Sequence, residues 1–99
     1  MVTRKIEWSK TAFKQFGSAL TFIASDSVLH AEKVRKDILS KLNLALKNPE
    51  CFPKDKFRKN NDGSFRAFEI HHYRLAYRFT GNTIKVLRLR HTGREPKEY

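Results

Sequence analysis

The sequence of 99 residues has little of several residue types that mark common protein classes. Cysteine occurs once, at Cys51, which excludes an internal disulfide and a multi-cysteine zinc site and favours the reducing cytoplasm. No apolar run is long enough to cross a membrane, and the basic start lacks the apolar segment of a signal peptide. No HExxH motif or repeated carboxylate spacing occurs, so we expect no metal and no other cofactor.

Acidic residues are also scarce. The chain has 10 Asp and Glu against 21 Lys and Arg, a formal net charge of +11 at pH 7. Positive charges in such excess repel one another in a compact fold and destabilise it. The excess therefore indicates a polyanionic partner: a nucleic acid, an anionic membrane or an acidic protein. A merely solvated basic surface is the alternative. Twelve per cent aromatic residues and mixed patterning argue against a disordered basic tail.

The first half of the chain predicts a short strand and two helices. Lys5–Trp8 alternates as a strand, and Ser9 is a good N-cap for a helix over residues 10–24. A second helix ends at Asn48, before Pro49, and the short connection makes the two helices an antiparallel hairpin. The apolar stripes are Ala12, Phe13, Phe16, Leu20, Ile23 and Ala24 in the first helix, and Ala31, Val34, Ile38, Leu42 and Ala45 in the second.

After a polar connection, the apolar period changes to two at Phe65, which predicts two consecutive β-hairpins. His71-His72 and Gly81-Asn82 are the natural turns. One face of the sheet then carries Phe68, Ile70, Tyr73, Leu75, Tyr77, Phe79, Ile84 and Val86, and must cover the helices. The other, open face carries Glu69, Arg74, Ala76, Arg78, Lys85 and His91.

The last strand conflicts with this alternation. It places Leu87 and Leu89 on the open face and Arg88 and Arg90 on the core side. Either a β-bulge shifts the strand by one residue, or a partner covers the leucines.

The open face holds residue types that suit metal-free RNA cleavage. That reaction needs a base, an acid and fixed positive charge beside the phosphate. Arg74, His91, Arg94 and Tyr99 are the candidate catalytic residues, and Lys54, Lys56, Arg58 and Arg78 are the candidate nucleic-acid-binding residues. Structural roles compete with these: His71 and His72 suit a turn, and Glu69 with Arg74 suits a cross-strand ion pair.

A strand, a helical hairpin and a meander with YRLAYRF and LRLRH resemble the RelE/ParE toxin superfamily over nearly the whole chain. The phrases NNDGSFRAFEIHHYRLAYR and RHTGREPKEY are similar to plasmid-stabilisation toxins of that superfamily. The resemblance implies one α+β domain over residues 1–99, with a helical hairpin on a twisted antiparallel sheet in the order β-α-α-β-β-β. It also implies a type II toxin–antitoxin pair, in which a small acidic antitoxin neutralises the toxin, itself a monomer or a dimer in the complex.

The superfamily has two branches with different targets. RelE-like members cleave mRNA on the ribosome, whereas ParE-like members poison DNA gyrase. On the RelE-like pattern, Arg74 matches a phosphate-binding arginine, His91 resembles a late catalytic histidine, and Tyr99 stands where a catalytic or base-stacking tyrosine is found. We therefore expect an mRNA endonuclease that needs no metal. The alternatives are a gyrase inhibitor and a basic interaction module without activity.

Overall fold

The computed structural model describes residues 4–93. Its element order is the predicted β-α-α-β-β-β: β1 Lys5–Trp8, α1 Lys10–Ala24, α2 Val28–Lys47, β2 Phe65–Ile70, β3 Tyr73–Phe79 and β4 Thr83–His91. The four strands form one sheet in the order β1-β4-β3-β2. The β3 strand is antiparallel to both β2 and β4, whereas β1 pairs in parallel with β4, so the sheet is mixed.

A side-chain cap begins each helix, and the one at Ser9 is the cap that the sequence predicts. The Ser9 hydroxyl accepts from the Ala12 N–H at 3.0 Å. The Ser27 hydroxyl accepts a hydrogen bond from the His30 N–H at 3.1 Å. Each cap satisfies a backbone donor that lacks a partner within the helix. The α2 helix ends at Asn48, as predicted. Neither helix within residues 4–93 is long and apolar enough to cross a membrane.

The core lies between α2 and the inner face of the sheet. All five residues of the predicted α2 stripe are buried, which confirms the helical period. The largest fully buried side chain is Tyr77, whose hydroxyl donates to the Pro49 carbonyl at 2.6 Å. Burial raises the pKa of Tyr77, so the phenol stays neutral and anchors the end of α2 to the sheet. The facing sheet residues are Phe68, Tyr73, Leu75, Tyr77, Ile84, Val86 and Leu89.

The α1 helix is much less buried than α2. Ala12 is its one fully buried residue, and Phe16 packs on Trp8 of β1 with ring centres 4.8 Å apart. The predicted α1 stripe was wrong in one member: Phe13 is 66% exposed. Consecutive helical residues differ in direction by about 100°, so burial of Ala12 turns Phe13 toward solvent.

Both predicted hairpin turns are present. His71 and His72 have φ values of 52° and 66°, the left-handed pair that a type I′ hairpin turn requires. Ile70 therefore lies opposite Tyr73, as predicted. The second turn places Phe79 opposite Ile84, also as predicted.

A β-bulge resolves the conflict in the last strand. Tyr77 lies opposite Val86, but the preceding Ala76 lies opposite Arg88, so Leu87 is the extra residue of β4. The bulge returns Leu89 to the inner face, where it is 2% exposed. The bulge was therefore the right alternative, and Leu89 needs no partner to cover it.

Candidate functional site

Arg74, the predicted phosphate-binding residue, lies between two carboxylates. Its Nη2 is 2.9 Å from Asp55 Oδ1, and its Nη1 is 2.9 Å from Glu69 Oε2. The pair with Glu69 confirms the predicted cross-strand contact, while the pair with Asp55 was not predicted. The Arg74 side chain is 12% exposed and that of Asp55 only 1%. Two anionic partners offset the charge of the guanidinium, so Arg74 attracts a phosphate far less strongly than an unpaired arginine would.

The segment between α2 and β2 pairs with the edge of the sheet, which places Asp55 beside it. Asp55 N–H donates to the Phe65 carbonyl at 2.8 Å, and Ala67 N–H donates to the Pro53 carbonyl at 3.1 Å. Lys54 thereby forms an isolated antiparallel bridge with Arg66 on the outer edge of β2. The connection is thus an extension of the sheet, from which a carboxylate can reach Arg74.

Phe57 covers part of the same open face. Its ring centre is 4.8 Å from the guanidinium carbon of Arg74 and 5.2 Å from that of Arg90. Its backbone N–H donates to Asp55 Oδ1 at 3.1 Å. A guanidinium that is paired with carboxylates and stacked on a ring is held in one orientation. This arrangement makes Arg74 a structural centre of the open face.

The four predicted nucleic-acid-binding residues divide into two groups. Arg58 and Arg78 both contact the ring of Phe65, with guanidinium carbons 4.0 and 4.9 Å from the ring centre. Lys54 and Lys56 are exposed on the connecting segment. A nucleic-acid role for these cations stays a prediction.

The structure separates His91 from Arg74. Because of the bulge, His91 lies opposite Tyr73 on the inner face, and their rings meet edge to face at 5.3 Å. The predicted position of His91, on the open face with Arg74, was therefore wrong. Arg74 lies instead beside Arg90, the residue before His91. Neighbouring strand residues project to opposite faces, so a phosphate bound at Arg74 would lie across the sheet from the His91 ring.

Two candidate catalytic residues, Arg94 and Tyr99, lie outside the described residues 4–93. Their roles, and the catalytic roles of Arg74 and His91, stay predictions.

His71 connects the sheet to α2 as well as forming the turn. Its Nε2 donates to Asp37 Oδ2 at 2.6 Å, and the ring of His30 meets it edge to face at 5.7 Å. The hydrogen bond from His71, with a smaller contribution from Lys33, holds the pKa of Asp37 below its ordinary value. Within residues 4–93, no group of three His, Cys, Asp or Glu residues could hold a metal ion.

An open groove of about 580 Å³ lies between α1 and the end of β4. Gln15 closes part of it, because its Oε1 accepts from the Leu89 N–H at 2.8 Å. The groove is lined by Lys14, Gln15, Ser18, Ala19, Phe22, Tyr73, Leu89, Arg90 and His91.

Sequence reasoning missed two features of these surfaces. One is Asp55, which carries a signal in retrospect: it is the one acid in the basic run KDKFRK of residues 54–59. The other is the exposure of Phe13, at 66%, which the predicted α1 stripe placed inside. Asp55 was missed because alternation assigns faces within a strand but not contacts between distant segments. Phe13 was misplaced because the stripe included its neighbour Ala12, from which it differs in direction by about 100°.

Comparisons with known proteins agree with this fold. A family model described as the ParE toxin of type II toxin–antitoxin systems, parDE, matches residues 6–96. A chain from the chromosomal ParDE toxin–antitoxin system of P. aeruginosa has the same fold, with a TM-score of 0.66 and 14% identity. That alignment covers 90% of this chain and 96% of the other. No curated protein matches the sequence significantly. Since the family model spans nearly the whole sequence, the chain belongs to the ParE toxin family of type II toxin–antitoxin systems.

Proposed function

We propose that this ParE-family toxin acts by inhibiting DNA gyrase, without ribonuclease activity, and that a small acidic antitoxin neutralises it. The observation that carries the choice of target is the position of Arg74, which two carboxylates engage at 2.9 Å each. The family match supports the same choice, because gyrase inhibition is what the ParE-like branch implies.

The chemistry of RNA cleavage explains why the pairing of Arg74 favours gyrase. A metal-free ribonuclease stabilises charge that develops on the phosphate, and preorganised cations do this best where no anion competes. The competing anions here are the buried Asp55 and the more exposed Glu69. The proton-transfer candidate His91 projects from the other face of the sheet, which does not favour its action on a phosphate bound at Arg74.

A toxin–antitoxin family implies an antitoxin, and the charge of this chain supports an acidic one. A net charge of +11 on 99 residues attracts an anionic partner over the Debye length of about 8 Å at physiological salt. The same attraction speeds association and weakens as salt rises.

The test compares the two targets directly, with purified toxin and a His91→Ala variant. His91 is exposed, and its contact with the core is at the edge of the Tyr73 ring, so we expect the variant to fold. We expect both proteins to inhibit supercoiling by gyrase and neither to cleave mRNA on ribosomes. His30→Ala, which removes another exposed histidine, is the matched control, and circular dichroism checks all folds.

The ribonuclease hypothesis makes the opposite prediction. If the wild-type toxin cleaves transcripts, and His91→Ala reduces cleavage by roughly 10²–10⁴-fold while supercoiling proceeds normally with either protein, the gyrase proposal is wrong.

A further inference from the structure

The two ends of the open face hold their cations differently. At one end, Asp55 and Glu69 offset the charge of Arg74. At the other end, Arg78 of β3 lies directly opposite Lys85 of β4. The Arg78 side chain is 48% exposed, and Lys85 is exposed as well. Like charges opposite each other on neighbouring strands destabilise a sheet. An anion from outside the chain would relieve this repulsion.

Two further arginines extend this pair across the sheet. Arg58 contacts the same Phe65 ring as Arg78, with guanidinium carbons 4.0 and 4.9 Å from the ring centre. Arg88 follows Lys85 on the open face of β4, opposite the small side chain of Ala76. The resulting cationic row runs from the connecting segment over β2 and β3 to β4, and consists of Arg58, Arg78, Lys85 and Arg88.

The carboxylates beside the row offset little of its charge. Oδ2 of Asp62 is 3.9 Å from Nη2 of Arg78, and both side chains are about half exposed or more, at 62% and 48%. Glu7 of β1 lies opposite Lys85, but its Oε1 is 3.4 Å from Nζ of Lys5. Exposed ion pairs of this kind are weak, so the row presents most of its positive charge to solvent.

The aromatic rings of the open face favour a duplex over a single strand as the anion. Proteins that bind single strands without sequence preference stack the bases on aromatic rings. Phe65 is only 7% exposed, and Phe57 is half-buried against Arg74. In the described part of the chain, the exposed large aromatic residues lie on α1 instead. The row therefore offers charge without a stacking surface, which suits the phosphate backbone of a duplex.

We propose that the cationic row binds the phosphate backbone of double-stranded DNA, and that this DNA is the segment on which gyrase acts. The planar guanidinium of Arg78 suits two phosphate oxygens, and the ammonium of Lys85 acts as a point charge. Contacts to phosphates carry no sequence information, so the binding has no sequence preference. The assignment of the DNA to gyrase rests on the proposed function, whereas the DNA contact itself does not.

The first test measures the affinity of the purified full-length toxin for a short fluorescent DNA duplex of mixed sequence, at several salt concentrations. The row variant is Arg78→Ala with Lys85→Ala. Each phosphate contact contributes about 0.9 to the slope of log Kd against log salt concentration. We expect the row variant to lower this slope by about 1 to 2, and to raise Kd at least about 10-fold at about 0.1 M salt.

Two matched variants separate the row from net charge. Lys36→Ala with Lys47→Ala removes the same charge from α2, on the other side of the sheet, and both lysines are exposed. It should change Kd far less than the row variant does. Arg78→Lys with Lys85→Arg keeps both charges and should keep the wild-type slope. Circular dichroism checks every fold.

Three results of the binding assay would overturn the inference. One is an unchanged salt slope in the folded row variant, and another is an equal rise in Kd for the row variant and the α2 variant. The third is tighter binding of the wild-type toxin to a single strand of DNA or RNA of the same sequence than to the duplex.

A supercoiling assay with the same proteins keeps this inference apart from the proposed function. We expect half-inhibition of gyrase to need at least about 10-fold more of the row variant than of the wild-type toxin. Equal inhibition by both proteins, together with equal DNA affinity, supports the gyrase proposal and refutes the row. Active gyrase with the wild-type toxin, together with duplex binding that requires the row, refutes the gyrase proposal and supports the row as a DNA-binding surface.

Discussion

The open face of the sheet and the outward side of α1 use their side chains in opposite ways. On the open face, Arg74 is paired with Asp55 and Glu69 and stacked on Phe57. On α1, Phe13 has no such cover and is 66% exposed. The open face, which the sequence marked as functional, uses its charged groups to hold the fold itself. The outward side of α1 instead leaves the aromatic rings of Phe13 and Phe22 exposed.

The outward side of α2 shows what a solvated helix surface looks like in the same protein. Glu32 pairs with Arg35, and Lys33 pairs with Asp37 at 3.4 Å. Such exposed i,i+3 and i,i+4 pairs are what helices present to water. The α1 helix contains no acidic residue, so it cannot form such pairs within itself.

The largest expected effect tests the structural role of the open face. Arg74→Ala removes a paired cation from the buried carboxylate of Asp55, so we expect a loss of about 3–5 kcal/mol in the free energy of unfolding. Urea denaturation followed by circular dichroism measures the change.

The matched control for Arg74 is Arg78→Ala, on the same strand and the same face. The Arg78 side chain is 48% exposed, and its Nη2 lies 3.9 Å from Oδ2 of its acidic partner Asp62. Its removal should cost less than about 1 kcal/mol. If both variants lose the same free energy of unfolding, the ion pair between Arg74 and Asp55 does not stabilise the fold more than an exposed pair does.

A smaller effect of opposite sign is expected on α1. Gly17→Ala adds a methyl group to open space and improves helix propensity, so we expect the free toxin to gain about 0.5–1 kcal/mol. Gly63→Ala is the contrast, because Gly63 has a φ of +97° that alanine rarely adopts. A loss of stability in Gly17→Ala would mean that the fold requires the glycine.

The smallest expected effect concerns His71 and Asp37, which tie the sheet to α2. The pKa of Asp37 is lowered in the folded state, so the stabilisation is present above the ordinary carboxyl pKa of about 3.9 and is lost as pH falls through the folded value. His71→Ala should therefore raise the pKa of Asp37 toward its ordinary value. NMR titration of Asp37 measures the shift, and an identical titration in both proteins would contradict it.

Much of the fold follows from local signals in the sequence. The α2 stripe has the helical period, Ser9 and Ser27 cap the helices, and His71-His72 closes a hairpin whose register was predicted. These features depend on residues close together in the chain, where backbone geometry and hydrogen bonding leave few choices. The antiparallel meander and the helical hairpin were therefore predictable.

The candidate site was less predictable. The buried carboxylate that pairs with Arg74 belongs to Asp55, which is 19 residues away in the sequence. The bulge at Leu87 reverses the face of every residue after it, including His91. The alternation of residues 83–91 is compatible both with a bulge and with a regular strand whose leucines are covered by a partner. The sequence of the strand alone therefore could not distinguish the two.

The sequence by itself determined the elements, their order, the basic charge and the resemblance to RelE/ParE toxins, since each depends on composition or on short-range periodicity. Tertiary structure decided which charged and aromatic groups were paired or buried and which remained exposed. Asp55 was buried against Arg74, Leu89 was returned to the core, and Phe13 was turned outward. The physical reason is that pairing of distant charges and filling of the core are settled only when separate segments meet, and whatever those contacts do not use remains on the surface.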